Sequence, residues 1–173
     1  MKKEYIAFDF ETTGLSPNKG ARIIEIGAVK FNGRKVIGEF HSLINPGFEI
    51  PYFITCINGI SNEMVEDAPL INDVIFDFHD FISTDTLIAH NANFDIKFLK
   101  AAFDEAGIKM FTNDVIDTLS MSRKAFPKFK CHKLDYLTEK LKITKSLHRA
   151  LADAHSCKEL FCKCLKKNKI KSI

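Results

Sequence analysis

The dipeptide Asn32-Gly33 constrains the fold more than any other feature of the chain. Both residues accept the positive φ angles of a tight hairpin, and they stand between two strand-like runs, Ile23 to Phe31 and Lys35 to Ile44. These runs are predicted to pair antiparallel. A third run of apolar and aromatic residues, 5 to 10, precedes them and ends in Thr12-Thr13-Gly14 and Ser16-Pro17-Asn18, the punctuation of a strand end and a loop. The first three strands are therefore expected to form an antiparallel meander.

After Asn45-Pro46-Gly47 the period changes. From Pro69 the residues Leu70, Ile71, Val74, Ile75, Phe78, Phe81 and Ile82 recur at helical spacing. Thr86 to Ala89 reads as a short buried strand. It leads into a second helical stripe, Phe94, Phe98, Leu99, Ala102 and Phe103, which Gly107 can end at its C′ position. Val115 and Ile116 suit a fifth strand before Asp117-Thr118, Leu134, Leu137 and Leu141 mark a further helix, and a last helix beginning near Arg149 turns Leu151, Ala154, Leu160, Phe161 and Cys164 inward. Hairpin strands followed by strand-helix alternation predict an α/β fold, a mixed sheet antiparallel in its first three strands and parallel afterwards, with helices on both faces. There is no repeat, low-complexity stretch or linker, so residues 1–173 are read as one domain.

Composition excludes several classes. With 173 residues, 46% hydrophobic and 16 of them Phe, the chain can bury a substantial core. Its 25 Lys plus Arg against 22 Asp plus Glu fall short of a surface that grips duplex DNA along its length, so nucleic-acid contacts should be local. The opening Met1-Lys2-Lys3-Glu4-Tyr5-Ile6-Ala7-Phe8-Asp9 is broken by an aspartate before it could form a signal-peptide core. No apolar run approaches the roughly 18 residues of a membrane helix. A cytoplasmic protein with no membrane association is expected. Five cysteines, an odd number, make a poor disulfide framework. Cys157, Cys162, Cys164 and His155 lack a paired C-x-x-C and share one helical segment, so free thiols are expected over a zinc site.

Three clusters carry chemistry. Asp9 and Glu11 alternate with Phe8 and Phe10, so on a strand both carboxylates face one side, their α-carbons about 6.6 Å apart. They are either a solvent-facing edge pair or ligands of a cation that removes their repulsion. His90-Asn91-Ala92-Asn93-Phe94-Asp95 lies at a strand-helix junction, where Asn91 or Asn93 suits a helix cap and Asp95 a first-turn acid or a ligand. In His148-Arg149-Ala150-Leu151-Ala152-Asp153, five residues of ideal helix rotate by about 140°. His148 and Asp153 can therefore share a face only if His148 precedes the helix, on a mobile approach that suits proton transfer. A lone His there could equally be an ordinary surface residue.

These segments, at 9 to 15, 90 to 95 and 148 to 153, resemble the DnaQ-like 3′-to-5′ exonucleases of the Asp-Glu-Asp-Asp type with a catalytic His. Members similar to this chain include the proofreading epsilon subunit of DNA polymerase III, ribonuclease T and oligoribonuclease. Gly59-Ile60-Ser61, Asp117-Thr118 and Leu134-Asp135-Tyr136-Leu137 also fall where that family has similar elements, so the resemblance covers nearly the whole chain. It implies a ribonuclease-H-like fold. It also implies a 3′-to-5′ exonuclease that releases nucleoside 5′-monophosphates from a single strand, DNA favoured over RNA. Asp9, Glu11, Asp95 and Asp153 would hold two divalent cations, Mg²⁺ or Mn²⁺, with His148 as general base. Two such ions roughly 3.5 to 4 Å apart stabilise both the attacking and the leaving oxygen.

By the same resemblance Thr12, Thr13 and Gly14 meet the terminal sugar, Leu15 wedges beside the last base, and His90, Asn91 and Phe94 line the nucleotide pocket, with core packing as the other reading of Phe94. One departure is Asn58, where the family often has His before the Gly-Ile pair; Asn still offers a hydrogen bond to sugar or phosphate. Arg123, Lys124, Lys128, Lys130 and Lys133, interleaved with Phe126 and Phe129, are either a solvated loop over apolar anchors or a track for a strand. The tail Lys166-Lys167-Asn168-Lys169-Ile170-Lys171 is expected to fray. The alternative from another class is an end-binding or polymerase-accessory module with incidental hydrolysis. The chain stops soon after the third motif, which favours a free-standing enzyme. Association with a DNA polymerase and a homodimer are both compatible with the resemblance.

Overall fold

The computed structural model describes residues 3–109, 112–145 and 147–168; Met1 and Lys2 of the opening run, and Lys169, Ile170 and Lys171 of the tail, lie outside them. Five strands, β1 (Glu4–Thr12), β2 (Ile23–Asn32), β3 (Lys35–Leu43), β4 (Thr86–Ala89) and β5 (Val115–Asp117), form one sheet in the order β3-β2-β1-β4-β5. The first three pair antiparallel and the last two run parallel, as expected, with β4 paired to β1 and β5 to β4. The helices are α1 (Tyr52–Asn58), α2 (Asn62–Val65), α3 (Ile71–Ile82), α4 (Asn93–Glu105), α5 (Thr118–Ala125), α6 (Leu134–Leu141) and α7 (Ala150–Lys167), with a 3-10 turn at Pro17–Lys19.

The hairpin differs in detail from its prediction. Asn32 closes β2 opposite Lys35, so the connection is Gly33-Arg34 and only Gly33 takes a positive φ, 59°. A two-residue turn with glycine at its first central position needs that angle at the glycine alone. Helices α1, α2 and α5 were not foreseen. The first two are short, burying little beyond Ile54, Asn58 and Val65, so they carry no stripe to detect. Helix α5 starts from a cap rather than a stripe: the Asp117 carboxylate accepts the N–H groups of Leu119 and Ser120.

Strand alternation separates two cores. On one side of β1, Ile6, Phe8 and Phe10 pack with Phe78 of α3 and Phe98, Leu99 and Phe103 of α4. On the other, Tyr5 and Ala7 join Phe31 and Ile88 against Cys157 and Phe161 of α7. Helices α5 and α6 then close on α7 through Ala125, Leu134, Leu137, Leu160 and Cys164. The five cysteines are free thiols, Cys157 and Cys164 buried and Cys56 exposed.

Helix α7 begins unusually close to the sheet. A β-carbon on Gly27 would stand 2.1 Å from the Leu151 nitrogen and 2.2 Å from the Ala150 carbonyl carbon, so only glycine lets the first turn of α7 rest on β2. The register places Gly27 opposite Asp9, and Glu25 opposite Glu11. Gly27→Ala should cost at least about 3 kcal/mol, because both clashing partners are backbone and cannot swing aside. Urea unfolding measures this; an unchanged midpoint would contradict the close approach.

Candidate active site

Strand β1 pairs with β4 only through Tyr5, Ile6 and Ala7, so its later residues run past the end of β4. The first turn of α4 meets that exposed edge, and the Phe10 N–H donates to Asp95 Oδ1 at 3.1 Å. The same alternation that buries Phe8 and Phe10 turns Asp9 and Glu11 to the opposite face, the one α7 covers. Asp153, one turn into α7, completes the group: ligand oxygens of Asp9, Glu11 and Asp153 all lie within 4.8 Å of one another. This is the only such set of His, Cys, Asp or Glu among the described residues. Asp95 stands outside it, buried on the Phe10 N–H, yet next to it electrostatically.

Glu25 fixes the position of Asp153. Its buried carboxylate accepts the Arg149 guanidinium, Nη2 to Oε1 at 2.7 Å, the Ala150 N–H at 2.9 Å, and lies 2.8 Å from His41 Nε2. Burial alone would raise its pKa; the bonds from Arg149, Ala150 and His41 outweigh that and hold it below the usual range. The acid is thus a charged cap joining β2 to the start of α7. Its sequence signal is an acid inside the apolar run Ile23-Ile24-Glu25-Ile26, which sequence reasoning passed over.

His148 precedes α7, as the rotation argument requires, at φ 50° and exposed to solvent. The mobile approach expected there is tied on both sides: the Leu147 N–H donates to Asp153 Oδ1 at 2.9 Å, and Arg149 is held by Glu25. His148, Asp9 and Asp153 line one cleft.

Like charges under partial burial shape the electrostatics. The Asp9 carboxyl is pushed well above the ordinary range by burial, and further by Asp95, Asp153, Glu11 and Glu25. Burial raises Glu11 to about 7 against the bond from Asn58, and raises Asp95 to about 8 against the Phe10 N–H. Such a cluster is a place for cations, and its all-carboxylate donors are the hard oxygen ligands that Mg²⁺ and Mn²⁺ prefer.

The remaining sequence-predicted residues divide. Leu15 is 87% exposed beside the acids' strand, and Phe94 is half-buried with its ring against Phe98 at 5.1 Å. The hydroxyls of Thr12 and Thr13 are spent within the loop, one donating to the Gly14 carbonyl and the other accepting the Arg22 N–H. Asn58 is buried, its amide donating to Glu11 Oε2 at 3.2 Å and its oxygen accepting the Ile60 N–H. His90 has both ring nitrogens engaged, with Thr118 Oγ1 at 3.0 Å and the His132 carbonyl at 2.8 Å. Neither Asn91 nor Asn93 caps α4 through its side chain. Instead the Asn91 and Ala92 N–H groups donate to Asp117 Oδ1. Arg123 and Lys124 belong to α5 rather than to a loop.

The model of the exonuclease family RNase_T matches residues 6–161. The chain belongs to that exonuclease family. It is 43% identical to a DNA polymerase III subunit epsilon of Rickettsia felis over 164 residues, 90% of this chain and 71% of that protein. It is 44% identical to a DNA polymerase III PolC-type of Caldanaerobacter subterraneus over 169 residues, 96% of this chain but 12% of that protein. The exonuclease domain thus spans about an eighth of its PolC-type relatives. Among solved structures it shares its fold with exonuclease X in complex with 5′-overhanging duplex DNA, at TM-score 0.73 and 24% identity over 98% of this chain and 94% of that one. It shares it also with the zinc-bound E. coli exonuclease I–ssDNA complex, at TM-score 0.83 and 18% identity over 98% and 41%.

Asp9, Glu11 and Asp95 bind protons more tightly folded than unfolded, so the stability they contribute is fully present below the ordinary carboxylate range and is lost as pH rises from there, for Glu11 through about 7 and for Asp95 through about 8. In chelator, the melting temperature should fall across that window, and Mn²⁺ should raise it more at pH 8.5 than at pH 5.5. Differential scanning fluorimetry reads both, and equal Mn²⁺ shifts at the two pH values would refute a cation-binding cluster.

Proposed function

We propose that the protein is a 3′-to-5′ exonuclease that hydrolyses the terminal phosphodiester of single-stranded nucleic acid, DNA in preference to RNA, and releases nucleoside 5′-monophosphates in the cytoplasm. The observation that carries this reading is the convergence of Asp9, Glu11 and Asp153, with Asp95 beside them, in a chain of the exonuclease family. Preference for DNA is supported by relatives named as DNA polymerase III proteins.

Asp9, Glu11, Asp95 and Asp153 would hold two divalent ions, Mg²⁺ or Mn²⁺. When bound, such ions neutralise the phosphate and lower the pKa of the attacking water. His148, on the rim of the same cleft, accepts the proton of that water at a ring nitrogen. Leu15 and Phe94 hold the last base by apolar contact, which every base offers equally, so sequence selectivity is low. Thr12, Thr13 and Gly14 shape the loop that meets the sugar through their backbone. Asn58 serves by orienting Glu11, and His90 and Asn91, which line the cleft, also brace the sheet edge.

The small share of the PolC-type relatives that the chain spans favours a second reading, in which the domain works joined to a polymerase. Recovery of a stoichiometric polymerase with tagged protein would support it.

On 5′-labelled DNA and RNA strands of equal sequence, the protein should shorten both from the 3′ end, DNA faster. Asp9→Asn should abolish the ladder. His148→Ala should lower kcat by roughly 10² to 10⁴ without moving the melting temperature. Unchanged turnover in His148→Ala would remove its assigned role, and absence of metal-dependent shortening by the wild type would sink the exonuclease reading.

A further inference from the structure

The cleft of about 540 Å³ that holds Asp9, His148 and Asp153 continues along a wall with no part in the chemistry above, formed by Leu119 and Arg123 of α5 and by Lys133 at the start of α6. Its size is that of a ligand site. His90 and Asn91 line it too, whereas Thr12, Leu15 and Phe94, placed at the terminal sugar and base, do not, so the wall extends beyond that end of the site.

The wall is fixed in place. His90, at the end of β4, bridges Thr118 at the start of α5 to the His132 carbonyl just before α6, and His132 Nδ1 lies 3.0 Å from Ser122 Oγ. Phe126 and Phe129 stack on each other at 5.2 Å with planes 9° apart, so these rings brace the α5–α6 connection instead of offering free faces. The two cations are exposed, and neither forms an ion pair among the described residues. Asp135 is the cleft's one further acid among its described lining residues. Unpaired cations on a rigid wall beside an acidic centre supply the countercharge that a polyanionic strand needs to approach it.

We propose that Arg123 and Lys133 bind backbone phosphates of the strand on the 5′ side of the scissile bond, with Leu119 against the intervening sugar or base. The cleft is then the track through which the single strand reaches the acids. This inference rests on the exonuclease reading.

The test compares wild type with Arg123→Gln/Lys133→Gln on two substrates: a 12-nucleotide single strand, and the p-nitrophenyl ester of thymidine 5′-monophosphate, which has no upstream phosphate. Strand binding is also followed in chelator by fluorescence anisotropy across a salt series. The double variant should lose at least tenfold of the kcat/KM advantage of strand over ester, mainly through KM. Its binding should show a log–log salt slope shallower by about 1.4, two phosphate contacts at about 0.7 each. An unchanged advantage and an unchanged slope in an enzyme that still hydrolyses the ester would overturn the track alone. Failure of the wild type to hydrolyse either substrate would overturn the exonuclease reading and the track with it.

Discussion

The first turn of α7 lies against β2 where Gly27 leaves room for backbone, and Glu25 two residues earlier captures Arg149 and the Ala150 N–H across that contact. Because Gly27 faces Asp9 across the antiparallel ladder and Glu25 faces Glu11, wherever α7 docks on β2 it carries Asp153 to the two acids of β1. A missing side chain and a buried carboxylate on one strand thus fix the relative position of groups more than 140 residues apart. The sheet contributes the other half: β1 runs past β4, and the N–H left without a strand partner at Phe10 draws Asp95 to the same end.

This arrangement is costly without cations. Carboxylates crowded together and partly withdrawn from water repel one another, and their raised proton affinities express that cost. Hydrogen bonds compensate unevenly. Glu25 is fully engaged and stays ionised, whereas Asp9 is relieved only by a proton or a metal, and that contrast separates the structural acid from the reactive ones. The loop carrying His148 is anchored through Asp153 and Glu25, so His148 and Asp153 are positioned by one set of contacts.

Much of this was legible in the sequence. The antiparallel meander and the mixed sheet followed from the turn residues and the switch from period two to period 3.6, and the facing of Asp9 and Glu11 from simple alternation with Phe8 and Phe10, whereas the place of β4 beside β1 had no local signal. Helix rotation required His148 to precede α7 if it shares a face with Asp153, and it does precede α7. Roles that depend on distant partners were not legible. The bond from Asn58 to Glu11, and the bond by which His90, itself on the cleft wall, pins the α5–α6 connection, could not be read from the sequence, because neither partner is near in sequence. Glu25 passed unnoticed for the same reason, as did the short helices whose stability comes from caps and tertiary contact rather than from an apolar stripe.

Glu25, through α7, holds together a carboxylate centre that it does not itself enter and that is proposed to take two cations. Calorimetric titration of Mn²⁺ into wild type, Asp153→Asn and Glu25→Gln proteins tests it most directly. Two ions per chain are expected in the wild type, loss of at least one in Asp153→Asn, and affinity weakened roughly 10- to 100-fold with stoichiometry kept in Glu25→Gln, as removal of an outer supporting group does. Wild-type affinity in Glu25→Gln, or no Mn²⁺ binding by the wild type, would contradict it.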